Sequence, residues 1–250
     1  MRVPSVSALI IFAKAPIPGQ VKTRLCPPLT PDEAASLHGS FVLDMLERSR
    51  ATASMDRFVA CAPSPEHVFF KILAERHGVR LIAQTGDDLG ARLTRAIADV
   101  FALGYRRVLV IGTDLPTLPA SAFGDAVQLL AAHDVVLGPA LDGGYYLIGL
   151  RKPAPELFAG LPWSTDRVLA LTKQKAAALG LSTGLLPVRR DIDTVEDLKA
   201  LIEETGIAGG AKTRGDALSP RTIGVLRLLA SRLQAQTGRH AEAEGTAASL

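Results

Sequence analysis

Leu109-Val110-Ile111-Gly112-Thr113-Asp114-Leu115-Pro116 decides the fold: a strongly apolar run ends abruptly in a glycine, a carboxylate and a proline. Arg107–Ile111 reads as a strand, because it is short, apolar and bounded by turn residues. Outward from it, similar short runs alternate with longer helical patterns. Strands are expected at Val6–Ala13, Arg57–Cys61, Val79–Ala83, Val135–Leu137, Tyr145–Leu150 and Leu185–Val188. Helices are expected after Thr30-Pro31-Asp32-Glu33 and over Pro65–His77, Asp88–Leu103, Ala120–Ala132, Thr165–Leu179 and Val195–Glu204. This alternation predicts an α/β protein: a mostly parallel sheet with helices on both faces.

The 250 residues suit one such domain with appendages, or two small domains. The expected organisation is a domain over 1–205, a Gly-rich polar linker over 206–218, a C-terminal helix over 219–237 and a disordered tail over 238–250. In that helix Ile223, Leu226, Ala230 and Leu233 form an apolar stripe, which packs on its own domain or forms a homodimer contact. With 48% apolar residues the chain can build a full core. A net charge of +3 without a dense Lys/Arg stripe does not mark a nucleic-acid binder and suits small anionic substrates. Cys26 and Cys61 belong to no CxxC pair and read as reduced thiols of a cytoplasmic protein. The apolar run Val6–Ala13 is too short to span a membrane, and no other segment is long enough.

Four segments carry chemistry. Phe12-Ala13-Lys14-Ala15-Pro16-Ile17-Pro18-Gly19-Gln20-Val21-Lys22-Thr23-Arg24-Leu25 follows the first strand, where open α/β sheets bind ligands. Lys14, Lys22 and Arg24 flank a Pro/Gly turn at Gly19, so backbone N–H groups and cationic heads can converge on one phosphate chain. The same residues also suit a solvated basic turn. Asp114 places a carboxylate just past the most apolar strand, where it can hold Mg²⁺ against a pyrophosphate or simply stabilise a turn before Pro116.

Asp142-Gly143-Gly144 precedes the strand beginning at Tyr145; the glycines permit close backbone approach to a ligand, and Asp-Gly equally suits a hairpin turn. In Arg190-Asp191-Ile192-Asp193-Thr194-Val195-Glu196-Asp197-Leu198, Thr194 and Asp197 read as a capping box. Asp191 and Asp193 ahead of it are a carboxylate pair that a cation would neutralise, or an acidic cluster at a helix start. Two lesser segments are Thr85-Gly86-Asp87-Asp88-Leu89-Gly90, which lies against a base or ribose or caps a helix, and Pro162-Trp163-Ser164-Thr165-Asp166, in which Ser164 and Thr165 suit a helix cap and Trp163, the only tryptophan, suits the core or an acceptor contact.

In order along the chain, FAKAPIPGQVKTRL, TGDDLGARL, IGTDLPTL, LGPALDGGYYLIGL, LPWST and DIDTVEDL resemble the bacterial nucleotide-diphospho-sugar transferase-like family of arsenosugar-biosynthesis-type glycosyltransferases, over roughly residues 6–204. That family is similar in turn to the 2-phospholactate and molybdenum-cofactor guanylyltransferases. The resemblance implies a Rossmann-like GT-A fold, a nucleotide-sugar or nucleoside triphosphate donor, a small-molecule acceptor, and Mg²⁺ or Mn²⁺. It implies that Lys22 and Arg24 serve the donor phosphates with Lys14, Gly19, Gly90, Gly143 and Gly144 around the nucleotide, and that Asp114 and Asp193 bind the metal. Glycosyltransferases of this fold carry Asp-x-Asp after the fourth strand, whereas here a single Asp114 stands there and the literal Asp-x-Asp is Asp191–Asp193.

Two reactions suit this set. In glycosyl transfer, the metal with Lys22 and Arg24 stabilises a departing nucleoside diphosphate, and Asp142 contacts or deprotonates the acceptor hydroxyl. In nucleotidyl transfer, the same cations stabilise departing pyrophosphate while an ionised acceptor phosphate attacks the α-phosphorus. The family label favours glycosyl transfer, which is the expected reaction; the cationic loop and lone metal carboxylate resemble nucleotidyltransferases, which makes nucleotidyl transfer the alternative. A non-catalytic nucleotide-binding protein is the reading from another class.

Overall fold

The structure, a computed structural model, describes residues 6–50, 55–207 and 218–231. They fall into two compact units, one within Met1–Ala15 and Val42–Asp191, the other within Pro16–Phe41 and Ile192–Leu250.

The first unit is built on one seven-stranded sheet. Its strands are β1 (Ser7–Lys14), β2 (Met55–Ala62), β3 (Arg80–Ala83), β4 (Arg107–Ile111), β5 (Val135–Pro139), β6 (Tyr145–Leu150) and β7 (Thr183–Leu185). Their order is β3-β2-β1-β4-β6-β5-β7. Every neighbouring pair is parallel except β4–β6 and β5–β6, so β6 alone runs backwards. The helices of this unit include α2 (Val68–His77), α3 (Leu89–Ala102), α4 (Ser121–Ala132) and α5 (Val168–Ala178), with α1 (Pro31–Ser49) contributing its C-terminal part.

Side chains alternate across a strand, and the two faces have different covers. Val108, Val110, Leu137 and Ile148 pack with Ala96, Ile97 and Val100 of α3 and Ala176 of α5. On the opposite face the bare Cα of Gly149 lies under Leu109 of β4 and Leu130 of α4. A mostly parallel sheet covered on both faces is the architecture the alternating apolar runs predict.

The second unit gathers Leu25, Leu29, Leu37 and Phe41 with Leu198 and Leu201 of α6 (Val195–Thr205) and Leu226, Leu229 and Ala230 of a last helix, α7 (220–231). The stripe of Leu226 and Ala230, with Ile223 beside it, therefore packs within its own unit. Leu233, most of the expected linker, the end of the expected 219–237 helix and the 238–250 tail lie outside the described residues. Thr194 accepts from Asp197 N at 3.2 Å while Asp197 Oδ2 accepts from Thr194 N at 2.9 Å, so the capping box closes with Asp in place of the commoner Glu. Thr30 and Glu33 close the same box ahead of α1. Thr194→Ala should lower stability by about 1 kcal/mol, read as a urea midpoint shift at unchanged slope.

Three expected boundaries are corrected. The last strand is Thr183–Leu185, not Leu185–Val188, because Pro187 has no N–H to continue the ladder; a single bridge, Ala140 to Arg189, resumes beyond it. Helix α5 starts at Val168 rather than Thr165, since Ser164 adopts φ 63° and Thr165 Oγ1 donates to Pro162 O at 2.7 Å instead of capping. Helix α2 starts at Val68 rather than Pro65, capped by the His67 ring, whose Nδ1 accepts from Phe69 N. Among the described residues no helix is long and apolar enough to cross a membrane.

Candidate functional site

In the first unit the sheet's direction collects the candidate residues at one rim. Strands β1, β2, β3, β4, β5 and β7 all end there, and the reversed β6 begins there. Lys14 is the exposed last residue of β1. Beyond β4 the chain continues as Gly112-Thr113-Asp114, with Thr113 and Leu115 buried on either side of a half-buried Asp114. The neighbours fix the backbone, so the carboxylate is held at the ligand side of the sheet.

β5 and β6 form an antiparallel hairpin closed by Ala140–Gly144, so the hairpin reading of Asp-Gly is correct. Asp142 Oδ1 accepts from Gly144 N at 2.8 Å, an Asx turn that uses the carboxylate to shape the loop. Asp142 is exposed. Gly143 has φ +87°, and a Cβ there would fall 2.1 Å from Asp166 O. The Pro162–Asp166 segment thus lies directly on the hairpin tip, and Leu169 N donates to Gly143 O at 2.9 Å. The glycine is required by contact as well as by φ.

On the β3 side, Asp88 caps α3 by accepting from Ala91 N at 2.7 Å, as a capping role requires. Arg92 Nε donates to Gly86 O at 2.9 Å and draws the loop down onto the helix. A Cβ on Gly90 would meet Phe158 O at 2.8 Å and Trp163 Nε1 at 2.9 Å. Gly90 is therefore a packing glycine under Trp163, whose ring meets Tyr145 edge-on with centroids 6.4 Å apart. Sequence reasoning passed over Gln84. Its Nε2 donates to Ala60 O at 2.8 Å and Ala13 O at 3.2 Å, tying together the ends of β1 and β2. Only a strand-terminal polar residue signals this.

In the second unit, Gly19 has φ 76° and Lys22 adopts the left-handed conformation at φ 49°, ψ 35°. A non-glycine residue there is uncommon, and strain of this kind gathers at functional sites. The Lys22 side chain is 4% exposed; its Nζ donates to Asp193 Oδ1 at 2.7 Å and to Ile192 O at 2.5 Å. The candidate phosphate cation and the candidate second metal carboxylate are thus brought together. Arg24 is exposed, in the short 3-10 turn Thr23–Leu25.

Among the described residues no three His, Cys, Asp or Glu side chains cluster as a ready metal cage. Mg²⁺ needs none, because it takes one or two carboxylates and completes its shell with water and phosphate oxygens. Asp114 and Asp193 offer hard oxygen donors of that kind, unsuited to a soft thiophilic metal.

Neither cysteine enters this chemistry. Burial pushes the Cys61 thiol up to about 12, while Cys26 is half-buried. At neutral pH Cys61 stays a thiol. In the native protein Ellman's reagent should titrate Cys26 alone, and both thiols only after unfolding.

An open sheet of this order, with a carboxylate just beyond β4, suits a transferase that handles nucleotides. The comparisons agree. The family described as "Uncharacterized protein conserved in bacteria (DUF2064)" matches residues 45–165. The 3-phospho-D-glycerate guanylyltransferase of Phenylobacterium zucineum is 32% identical over 187 residues, covering 70% of this chain and 81% of that protein. The 2-phospho-L-lactate guanylyltransferase of Methanothermobacter thermautotrophicus is 26% identical over 190 residues, covering 72% and 78%. A crystal structure from Desulfovibrio desulfuricans G20, described as a nucleotide-diphospho-sugar transferase, is 35% identical with a TM-score of 0.78, covering 90% of this chain and 95% of that one. The chain belongs to the family of nucleotide-transferring enzymes that includes the Phenylobacterium guanylyltransferase.

Proposed function

We propose that the protein transfers a nucleoside monophosphate, guanylate by the relatives' example, from a nucleoside triphosphate to the phosphate of a small phosphorylated carboxylic acid. The observation that carries the reading is the lone Asp114 beyond β4, where glycosyltransferases of this fold place Asp-x-Asp, in a chain 32% identical to a phosphoglycerate guanylyltransferase. In this reaction an oxygen of the ionised acceptor phosphate attacks the α-phosphorus. The bond to the bridging α–β oxygen breaks and its electron pair leaves with pyrophosphate. No proton has to move, so no general base is required, and Asp142 is left free to shape its turn.

Asp114 is the proposed metal carboxylate, and Asp193 is the second one that the resemblance assigns. A bound Mg²⁺ or Mn²⁺ supplies charge neutralisation at the phosphates. Lys22 holds Asp193 in place and neutralises it. Arg24 and Lys14, both exposed, are the proposed contacts to the departing pyrophosphate.

Glycosyl transfer from a nucleotide-sugar is the second reading, favoured by the likeness to the Desulfovibrio protein. A thermal-shift panel with Mg²⁺ separates the two, since a ligand of the native state raises Tm with saturation. A larger rise with GTP than with GDP-sugars or UDP-sugars supports nucleotidyl transfer. The reverse order supports glycosyl transfer and defeats the proposal.

A further inference from the structure

Arg189 lies on the ligand rim of the first unit, outside every motif considered so far. Its backbone is fixed: Arg189 N donates to Pro139 O at 3.0 Å, and Leu141 N donates to Arg189 O at 2.9 Å. It therefore borders the Ala140–Gly144 hairpin tip directly. Its side chain runs to the Tyr146 hydroxyl. Burial raises the Tyr146 pKa, and the neighbouring Arg189 charge opposes that rise. Tyr146 Oη donates to Pro187 O at 3.1 Å, and its ring fills the space a side chain on Gly138 would need. The Tyr146 side chain thus crosses β5 to the β7 line, where its hydroxyl meets Arg189.

Arg189 Nε is buried and makes no hydrogen bond among the described residues. No carboxylate of those residues lies within 4.0 Å of the guanidinium, although Asp125 of α4 faces the same tyrosine hydroxyl. A buried guanidinium donor without a partner calls for an acceptor. The planar fork of arginine matches a carboxylate bidentately. Position selects which anion. Asp114 follows β4, and Arg189 lies on the third strand line away, about 14 Å at the backbone by strand spacing. The group at the far side from Asp114 is the end of the acceptor that does not react.

We infer that Arg189 binds the carboxylate of the acceptor, so that the enzyme selects phosphorylated carboxylic acids over phosphorylated alcohols. This rests on the proposed nucleotidyl transfer, in which the acceptor phosphate is the nucleophile.

The test is calorimetric titration of the full chain, with Mg²⁺ and a non-hydrolysable GTP analogue, by 3-phosphoglycerate and by glycerol 3-phosphate, which lacks the carboxylate. The wild type should bind the acid at least about tenfold more tightly. Arg189→Ala and the better shape match Arg189→Gln should bring the acid to the affinity of the alcohol, with the alcohol and the GTP analogue unaffected. Arg189→Lys should recover part of the difference. An equal loss for both phosphates would place the phosphate at Arg189 and overturn the assignment. So would unchanged affinities, or a wild type that does not prefer the acid. Failure of the parent reading registers separately, as absence of pyrophosphate release from GTP by a wild type that still prefers the acid.

Discussion

Asp114→Ala loses transfer activity by about a thousandfold or more while Tm stays within roughly 4 °C. The strand that presents Asp114 is paired on both sides, by β1 and by β6. Buried Thr113 and Leu115 set the backbone on either side of it. The fold therefore survives loss of the carboxylate, while the proposed reaction loses its proposed metal donor. Asp114→Asn keeps the shape and removes the charge, so it should fail almost as badly. Activity near wild type in a cleanly folded Asp114→Ala protein would remove Asp114 from the mechanism and with it the reading of this rim.

Gly143→Ala is the second large effect, on stability. The substitution forces an L side chain into φ +87° and drives a methyl to 2.1 Å from the Asp166 carbonyl oxygen, a contact that backbone movement alone can relieve. Left-handed strain and steric overlap of this size cost about 2–4 kcal/mol together. At about 2–4 °C per kcal/mol for a chain of this size, Tm should fall by roughly 5–15 °C in calorimetry. Relief requires the hairpin tip to part from the Pro162–Asp166 segment, losing the Leu169 N to Gly143 O bond, so acceptor binding should weaken as well. An unchanged Tm would mean that the two loops are not clamped.

The strands β1, β4 and β6 were legible within a residue or so, because each is an uninterrupted apolar run bounded by charge, glycine or proline. The failures have local causes. At β7 the apolar run Leu185–Val188 hid Pro187, whose missing N–H moves the ladder upstream. Before α5, Thr165 resembled a cap, but the left-handed Ser164 turned its hydroxyl to Pro162 O. In the site, Asp114 and the Asp142–Gly144 turn could be placed from strand ends and turn chemistry alone. The Lys22–Asp193 pair could not, since it joins residues 171 apart and only the fold brings them together. Arg189 was hidden for a related reason: its significance is an unpartnered buried nitrogen, and pairing is a property of packing. The bulky neighbours of Gly90 were invisible for the same reason, so a glycine that reads as a ligand contact is also one that makes room for Trp163.

The central claim concerns which bond of the donor breaks. It is tested most directly by following GTP, Mg²⁺ and 3-phosphoglycerate with the purified protein by phosphorus-31 NMR. The account predicts inorganic pyrophosphate and a new pair of coupled diphosphate resonances, growing in equal amounts and dependent on both substrates. Inert GTP, alongside release of a nucleoside diphosphate when a nucleotide-sugar replaces it, would contradict nucleotidyl transfer and make the protein a glycosyltransferase.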